Sequence, residues 1–455
     1  MNVAKKLSLK MVDVPDLTII GSGPAGLFAA YQLSRLSPKL NILILANQPS
    51  SEPHTLARQP RAEDSPVSDK GLGGSGRFAD KLYFDSAGGW LESQAPEYAE
   101  ALMAYSAEIF ERFGGLSERK AFALDRNIPP MVGLGYKRYK KLVPVTFVEF
   151  RKLVLNIVKK LNDNGVTIRY GPEVDSVSRT STGFKLQLKN SRGFPSKNVL
   201  IATGRSSASW FVQQATRLGL RVEPGHPYFG VRVEARTKSV MKLRSWGHDP
   251  KLKLRSFVRA SSDTKTHCVC FGGHAISCAC DNMVLVDGTT FDKPSSNTSF
   301  NILTRIPRTL SVKHCREIIQ NILLTGEARP IIQTMEDFTR GIPSSAKRIQ
   351  SNRVEATLKE ATPGELTRHL PIDAVANLIN FLAQMMQTIP GTVKGENLVY
   401  APVFEWFSPK VRIDKSGRTL VPGLFVAGDV AGVSQGVVMA AASGLWTGIK
   451  LSDLL

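Results

Sequence analysis

The chain is short of cysteine and has no long apolar run. Its 455 residues include five cysteines, too few for a disulfide framework, so we expect a reducing compartment. No run of about 18 apolar residues occurs, so no membrane-spanning helix is expected. The N-terminal segment lacks the apolar stretch of a secretory signal, and Asp13 and Asp16 argue against a transit peptide. These absences together predict a cytoplasmic protein.

Acidic residues are also scarce. The chain has 39 Asp and Glu against 59 Lys and Arg, which gives a formal net charge of +20. The basic residues concentrate at 136–160, which includes Lys137-Arg138-Tyr139-Lys140-Lys141, and at 236–260. Such a charge is typical of a protein with an anionic partner, which is nucleic acid, an acidic protein or a polyanionic substrate. A basic surface that only aids solubility is the favoured alternative, because no nucleic-acid-binding motif accompanies the charge.

The strongest motif lies near the N-terminus. An apolar strand ends in Gly21-Ser22-Gly23-Pro24-Ala25-Gly26, which fits G-x-G-x-x-G, and a helix and the second strand Ile42–Leu45 follow. Gly21 permits the tight turn, Gly23 leaves the backbone open to a pyrophosphate, and Gly26 lets the helix lie close to the strand. The pattern predicts phosphates bound to amides at the helix N-terminus. An ordinary glycine-rich turn is the alternative.

The motif departs from its usual form after the second strand. The acidic residue expected about 20 residues on is missing, and Asn47 stands in that region. A side-chain amide still hydrogen-bonds a ribose hydroxyl, but more weakly than a carboxylate does. The sequence therefore predicts adenosine binding with altered ribose contacts.

A second glycine-rich stretch, Gly71–Gly76, predicts a close approach of the backbone to another group. A flexible loop is the alternative, but three apolar residues impose order directly afterwards: Phe78, Leu82 and Phe84. Further along, Thr146-x-x-Glu149 is a capping box that predicts a helix start. Alternation predicts a β-hairpin with arms at Phe184–Leu188 and Ser196–Ala202, and Phe229–Glu234 is typical of a strand.

Four segments in this order carry a resemblance to a known family: Gly21–Gly26, Ile201–Gly204, Pro422–Asp429 and Gly436–Met439. The chain resembles the glutathione-reductase-type superfamily of FAD-dependent oxidoreductases. It is most similar to a group of bacterial proteins known only as FAD-dependent dehydrogenases, or NAD(P)/FAD-dependent oxidoreductases. Further matches are Gly73–Gly76 with Phe78, Asp80, Lys81 and Leu82, and then Gly204–Ser207, Phe229–Glu234 and Cys268–Gly273. The resemblance spans nearly the whole chain and implies FAD as the cofactor.

The resemblance also implies where FAD would bind. The ADP half would contact the first motif, the expected ribose position, the start of a strand and the Ala-x-Gly segment: Gly21, Gly23, Pro24, Ala25, Gly26, Asn47, Val174, Ala202, Thr203 and Gly204. The second glycine-rich stretch would approach either the pyrophosphate or the isoalloxazine ring: Gly73, Gly74, Ser75 and Gly76. The flavin half would contact the C-terminal motifs: Gly428, Asp429, Gly436, Val437, Val438 and Met439. Asp429 would accept a hydrogen bond from a ribityl hydroxyl. Relatives usually carry His where this chain has Arg205.

No second G-x-G-x-x-G occurs in a strand–helix setting, so a separate NAD(P) domain is not predicted. If NADH or NADPH is the electron donor, it must use the substrate cleft. Donation of the electrons by another protein is the alternative.

Two Cys-x-Cys pairs, Cys268/Cys270 and Cys278/Cys280, flank Gly272-Gly273-His274. Cysteines two apart on a strand face the same side, so burial on two adjacent strands, Thr266–Phe271 and Ala275–Cys280, is the favoured interpretation. A redox-active dithiol beside the flavin and a metal site of four thiolates are alternatives. The spacing fits metal ligands poorly, so no metal site is predicted.

Three side chains are candidates for catalysis: Lys81, Arg232 and Cys270. Lys81 follows the glycine-rich loop, and a surface lysine is its alternative. Arg232 shares a strand face with Glu234, and the two could bind an anionic substrate or form a structural ion pair.

The fold class predicted is α/β, a Rossmann-like FAD-binding domain of residues 12–225 and 396–455 with an inserted α+β substrate domain of residues 226–395. The predicted function is a FAD-dependent oxidoreductase that transfers hydride or electrons between flavin and an unidentified small organic substrate. Two alternatives stay open. One is a basic flavoprotein that acts on or binds nucleic acid, and the other is a non-catalytic FAD-containing partner subunit.

Overall fold

The computed structural model describes residues 14–48, 66–68, 70–85, 95–116, 134–137, 141–223, 225, 227–255, 263–306, 312–405, 409–432 and 434–455. Residues 138–140 of the basic run lie outside the described residues, as do the predicted domain limits at 12 and 226. Within the described ranges, no helix is long and apolar enough to cross a membrane.

The helices, in chain order, are α1 (Pro24–Leu36), α2 (Ala99–Gly114), α3 (Phe147–Asp163), α4 (Ala208–Arg217), α5 (Met241–Ser245), α6 (Val312–Thr325), α7 (Met335–Arg340), α8 (Ala346–Gln350), α9 (Ile372–Thr388) and α10 (Val437–Ser452). The strands are β1 (Leu17–Ile20), β2 (Ile42–Ala46), β3 (Val67–Ser68), β4 (Lys81–Tyr83), β5 (Gly135–Lys137), β6 (Leu142–Pro144), β7 (Thr167–Tyr170), β8 (Val174–Thr180), β9 (Gly183–Leu188), β10 (Ser191–Ser196), β11 (Asn198–Ile201), β12 (Val222–Glu223), β13 (Tyr228–Arg236), β14 (Lys251–Arg255), β15 (Asp263–Phe271), β16 (His274–Cys280), β17 (Met283–Thr289), β18 (Asn297–Arg305), β19 (Ile331–Thr334), β20 (Thr362–Pro363), β21 (Leu398–Glu405), β22 (Lys410–Val411) and β23 (Leu424–Val426).

A five-stranded sheet of order β23-β11-β1-β2-β7 forms one half of the molecule, and every pairing in it is parallel. Every residue of β1 and β2 is buried, as expected for strands covered on both faces. A parallel sheet needs crossover connections, and α1 supplies the one between β1 and β2. The predicted α/β class with a Rossmann-like sheet is confirmed.

The predicted hairpin arm Ser196–Ala202 is wrong. The structure divides this stretch between two sheets, because β10 pairs antiparallel with β9 while β11 joins the parallel sheet between β1 and β23. The reason is visible in the burial of β11, where Val199, Leu200 and Ile201 are all inaccessible to solvent or nearly so. A continuous apolar run suits a central parallel strand better than a hairpin arm with one solvated face.

Helices α1 and α10 pack closely against each other. At Gly444 and Gly448 of α10, a Cβ atom would press into the carbonyl oxygens of Ala25 and Ala29 in α1. Glycine at these two positions therefore allows the helix backbones to meet. The contact fixes both helix N-termini at the same edge of the parallel sheet, which matters for the site described below.

A second, eight-stranded sheet has the order β20-β19-β21-β13-β18-β15-β14-β5, and all its pairings except β19–β20 are antiparallel. Helix α9 covers this sheet, and Leu378 and Phe381 of α9 belong to the same apolar core as Phe229 and Phe300. Strands β5 and β21 lie outside residues 226–395 yet belong to this sheet. The division of the chain into domains stays a prediction.

The capping box predicted at Thr146 is confirmed. The Thr146 hydroxyl accepts a hydrogen bond from the backbone N–H of Glu149, and the Glu149 carboxylate accepts one from the backbone N–H of Thr146. These bonds satisfy donors that the first turn of a helix otherwise leaves unpaired. They fix the start of α3, whose Phe150 packs under the second glycine-rich stretch.

Candidate functional site

A cavity of about 390 Å³ opens where the strands of the parallel sheet end. Gly21 follows β1, Asn47 follows β2, Ala202 follows β11, and Asp429 lies three residues after β23; all four line the cavity. In open α/β sheets, ligands bind in the crevice at the carboxyl ends of the strands. The position of the cavity therefore follows from the sheet itself.

Two helix N-termini face this cavity. Gly23 and Gly436 are the N-cap residues of α1 and α10, neither helix has a side-chain cap, and both glycines line the cavity. A Cβ at Gly23 would approach only the Cα of Gly74, at 4.0 Å, and a Cβ at Gly436 would meet nothing within 4 Å. The first-turn amides are thus open to the cavity, and the helix dipoles favour an anion there.

Two buried hydroxyl groups at the cavity wall have no hydrogen-bond partner among the described residues. They are the Oγ of Ser22, between the first two glycines of the motif, and the Oγ1 of Thr203, after β11. A buried polar group without a partner costs free energy, so each such group in a native fold needs an explanation. A polar ligand in the cavity would supply the missing partners.

Asp429 is the acidic residue beside the N-terminus of α10. Its Oδ1 accepts a hydrogen bond of 2.6 Å from the Ser434 hydroxyl. Burial raises the pKa of the Asp429 carboxyl to about 6, and the hydrogen bond from Ser434 and the charge of Arg205 oppose that rise. The Asp429 carboxyl lines the cavity, where it is positioned to accept a hydrogen bond from a hydroxyl group or, when protonated, to donate one to it.

Most of the residues predicted to contact FAD lie on the cavity wall: Gly21, Gly23, Pro24, Ala25, Asn47, Gly74, Ser75, Val174, Ala202, Thr203, Gly204, Asp429, Gly436 and Val437. The structure brings them together from both ends of the chain. Sequence reasoning missed several other lining residues, among them Ser22, Lys189, Arg205 and Trp210. No pattern signals a residue such as Lys189, since it reaches the cavity only through the folding of β9.

Six of the predicted residues do not line the cavity: Gly26, Gly73, Gly76, Gly428, Val438 and Met439. A Cβ at Gly26 would overlap the carbonyl oxygen of Gly21, so this glycine serves the contact between helix and strand. A Cβ at Gly428 would stand 2.7 Å from the Cβ of Ala25. Val438 and Met439 are buried in the core.

The second glycine-rich stretch is held against the first. The backbone N–H of Gly73 donates to the carbonyl of Ser22 at 2.9 Å, and the N–H of Leu72 donates to Oε1 of Gln48 at 3.2 Å. The close approach that the glycines predict is to Phe150 of α3, since a Cβ at Gly76 would overlap its ring. Gly74 and Ser75, between these anchored residues, line the cavity, as does Gly71 at the start of the stretch.

No protein-family model and no curated protein sequence matches the chain. Among solved structures, it is similar to glycine oxidase from Geobacillus kaustophilus at 12% identity over 97% of this chain and 95% of that chain, with a TM-score of 0.40. A flavoprotein/dehydrogenase from Cytophaga hutchinsonii matches at 12% identity over 97% and 79%, with a TM-score of 0.41. CtdE in complex with FAD matches at 10% identity over 97% and 84%, with a TM-score of 0.38. Similarity this distant carries no argument, so the interpretation rests on the residues of the site.

The three catalytic candidates lie together, away from the cavity wall. The Nζ of Lys81 is 3.7 Å from the Sγ of Cys270, and the Nη2 of Arg232 is 3.4 Å from the same sulfur. Lys81 also donates to the carbonyl of Val269 at 2.6 Å and forms an ion pair with Asp80 at 3.1 Å. Lys81 is buried, so the surface-lysine alternative is wrong.

Arg232 and Glu234 do not pair with each other, although they share a strand. The ionic partner of Arg232 is Asp287, at 3.7 Å, and the guanidinium donates to Ser299 and Asn301. Glu234 accepts hydrogen bonds from three other residues: Asn297, Thr357 and Tyr400. The predicted Arg–Glu pair is therefore wrong, because each side chain finds other partners on neighbouring strands and, for Glu234, also at Thr357.

The two Cys-x-Cys pairs lie on strands that are consecutive but not adjacent. Strand β15 belongs to the eight-stranded sheet, while β16 pairs with β17 and β3 in another sheet. Cys270 and Cys280 are buried, but Cys268 and Cys278 are only partly so. The two predicted strands are present, but they are not adjacent and only one cysteine of each pair is buried, so that part of the interpretation is wrong. In the described ranges, no group of three or more His, Cys, Asp or Glu side chains could hold a metal ion.

Charged groups connect the thiols to the cavity. Asp287 lies 3.6 Å from the guanidinium of Arg205, a cavity residue, and 3.7 Å from that of Arg232, which contacts Cys270. On the other side, Asp249 accepts a hydrogen bond from the N–H of Val269 at 2.9 Å and pairs with Lys251 at 2.6 Å. The Lys251 and Lys81 charges hold the pKa of the Asp249 carboxyl well below its usual range, although burial opposes them.

Proposed function

We propose that the chain is a FAD-dependent oxidoreductase that acts on a small organic substrate. The observation that carries the proposal is the convergence of two uncapped helix N-termini and two unpartnered hydroxyls on one cavity at the carboxyl edge of a parallel sheet. A dinucleotide with a pyrophosphate needs donors of this kind. Bound FAD would supply the hydride and electron chemistry, which no side chain provides.

The residues at the N-terminus of α1 would bind the pyrophosphate. The backbone amides after Gly23 face the cavity, and the hydroxyl groups of Ser22 and Thr203 lack acceptors there. Asn47 is placed at the end of β2, where a ribose hydroxyl is bound in dinucleotide folds. The start of β8 at Val174 would meet the adenine through its backbone.

The residues at the N-terminus of α10 would hold the flavin end. Asp429 would hydrogen-bond a ribityl hydroxyl, and the amides after Gly436 would face the N1/O2 side of the ring. Donors and a helix dipole at that position stabilise negative charge on the reduced cofactor. This assignment also gives a reason for the close packing of α1 and α10: the N-terminus of α1 would bind the pyrophosphate and that of α10 the flavin end of the same FAD molecule.

The first experiment is titration of the purified protein with FAD, followed by the absorption and fluorescence of the flavin. We expect binding of one FAD per chain at micromolar concentrations, or flavin that co-purifies. Gly135→Ala, at an ordinary contact 3.5 Å from the carbonyl of Lys253 in the other sheet, is the matched control for variants of the cavity glycines. A folded protein that leaves FAD free in solution would overturn the proposal.

The second experiment identifies the electron donor. NADH or NADPH is added to the FAD-loaded protein without oxygen, and bleaching of the flavin bands is followed. The sequence has no second dinucleotide motif, so we expect a nicotinamide to act only through the substrate cleft, if it acts. Persistent bands direct the search to substrates that reduce the flavin or to a protein donor.

A further inference from the structure

The thiols of Cys268 and Cys270 are closer than their spacing requires. In a regular strand, residues two apart are separated by about 6.6 Å along the strand. Here the two Sγ atoms are 3.8 Å apart. The pairing of β15 with β18 aligns His267 with Asn301 and Cys270 with Ser299, so β15 contains one extra residue, a β-bulge. The bulge turns both side chains toward each other.

The backbone at the bulge is unusual. Cys268 has φ of +50°, a conformation that a residue with a side chain rarely adopts. Strain of this kind is concentrated at functional sites. The other pair provides an internal comparison, because β16 pairs with β17 in unbroken register from His274 to Cys280. Spacing alone therefore does not produce the geometry at Cys268 and Cys270.

Two buried cations lie beside the sulfurs. Arg232 is wholly buried and Lys81 nearly so, and each is within 3.7 Å of the Sγ of Cys270. The Nε of Arg232 has no partner among the described residues. Asp80 pairs with Lys81 and Asp287 with Arg232, and the same two cations also stabilise negative charge on a thiolate shared by the two cysteines. The arrangement is the electropositive environment that activates thiols.

The two thiols differ in accessibility. Cys268 is partly exposed, while the side chain of Cys270 is buried. The hydrogen bond between the sulfurs lowers the pKa of Cys268 and raises that of Cys270, and the charge of Lys81 lowers the pKa of Cys268 further. The cysteine with the greater exposure thus carries the thiol that ionises more readily, and the Sγ of the buried cysteine lies 3.8 Å from it.

From this geometry we infer that Cys268 and Cys270 form a redox-active dithiol that exchanges with a disulfide compound, Cys268 as the attacking thiol and Cys270 as the resolving thiol. The Cys268 thiolate attacks one sulfur of the disulfide, whose S–S bond breaks and releases one thiolate. Cys270 then loses its proton and attacks Cys268, which releases the second thiolate. The pair loses two electrons and two protons as its own S–S bond forms, and the compound gains them as two thiols.

This activity goes beyond the proposed function and does not depend on it. The thiols are held by Lys81 from one half of the molecule and by Arg232 from the other, and Asp287 links Arg232 to Arg205 at the cavity. Thiol exchange needs no bound FAD. The two proposals therefore fail or stand separately.

The test counts thiols in the full-length protein. The protein is equilibrated in mixtures of reduced and oxidised glutathione, denatured, alkylated with N-ethylmaleimide and weighed by mass spectrometry. We expect the oxidising mixture to leave two fewer alkylated cysteines and no added glutathione. Cys278→Ser/Cys280→Ser, the matched pair with the same spacing, is expected to lose the same two thiols, whereas Cys268→Ser/Cys270→Ser loses none.

Kinetics give a second measurement. In a Cys278→Ser/Cys280→Ser/Cys315→Ser background, the rate at which iodoacetamide alkylates Cys268 should rise with pH at a midpoint below that of an ordinary thiol. Lys81→Gln should shift the midpoint upward by about one unit.

Two results would overturn the inference: full alkylation of the wild type in the oxidising mixture, or an unchanged loss of thiols in Cys268→Ser/Cys270→Ser. The thiol count and the alkylation kinetics are both measured with and without FAD. A protein that forms the disulfide but binds no FAD supports the dithiol and refutes the proposed function. A protein that binds FAD but forms no disulfide supports the proposed function and refutes the dithiol.

Discussion

Substitution of single glycines at the start of α1 separates binding from folding. Gly23 has φ of −77° and ψ of −178°, which alanine adopts without strain, and a Cβ there would meet only the Cα of Gly74, at 4.0 Å. Gly23→Ala should therefore leave the free energy of unfolding unchanged or raise it by about 0.4–1 kcal/mol, since alanine restricts the unfolded chain. The new methyl group would occupy the space in which the pyrophosphate approaches the backbone.

The expected loss of affinity follows from the contacts at that backbone. Hydrogen bonds to charged groups contribute about 1.5–3 kcal/mol each. Displacing the pyrophosphate from one amide should then weaken FAD binding about ten- to a hundredfold, because about 1.4 kcal/mol corresponds to a factor of ten. Titration of the FAD-free protein, followed by flavin fluorescence, measures the dissociation constant, and thermal unfolding without FAD measures the stability.

Gly26→Ala should lower the stability of the fold, which Gly23→Ala leaves unchanged or raises. Its Cβ would overlap the carbonyl oxygen of Gly21 and approach Ile19, so the helix must move away from the strand, at a cost of about 1–3 kcal/mol. Gly135→Ala controls for the substitution itself: it should leave the FAD affinity unchanged and alter the free energy of unfolding no more than Gly23→Ala does. Unaltered FAD affinity in a folded Gly23→Ala variant would refute the assignment of this backbone to the pyrophosphate.

Three further outcomes follow from buried polar groups. Ser22→Ala should stabilise the FAD-free protein by about 1–3 kcal/mol, because its hydroxyl has no partner there, yet weaken FAD binding. Because the pKa of Asp429 is raised to about 6, the folded protein keeps a proton that the unfolded chain releases. The free energy of unfolding therefore falls as the pH rises from about 4 to 6, by at most about 3 kcal/mol. Urea unfolding of Asp429→Asn should not show this fall. Asp249→Ala removes the buried carboxylate that pairs with the Lys251 ammonium and should cost about 3–5 kcal/mol in the same assay. Glu355→Ala, which breaks the exposed pair with Lys359, should cost under about 0.5 kcal/mol.

The parallel sheet was predictable because its signals are local. The glycines of Gly21–Gly26 are required by contacts within about 30 residues of chain, between a strand, a turn and a helix. The capping box at Thr146 spans four residues. Patterns of this kind depend only on residues that are close in sequence, so they can be recognised without knowing the rest of the fold.

The second sheet and the thiol cluster were less predictable because they depend on distant segments. Strand β21 pairs with β13 from more than 160 residues away, and Lys81 meets Cys270 across 189 positions. Burial likewise explains the wrong hairpin arm, since Asn198–Ile201 takes its place from the sheet on both sides of it. Neither alternation nor spacing contains that information.

The bulge at Cys268 illustrates what one inserted residue does to a motif. Without it, β15 would present Cys268 and Cys270 at ordinary strand separation on the face that covers Arg232. With it, the sulfurs approach to 3.8 Å, and the carbonyl of Val269 turns to accept the Lys81 ammonium from the other half of the molecule. On the opposite side, Gly288 of β17 leaves room for the Arg232 guanidinium, which a Cβ would overlap. Four strands, β4, β13, β15 and β17, thus contribute to the surroundings of two sulfur atoms. Simple packing of two small apolar side chains does not require so many constraints.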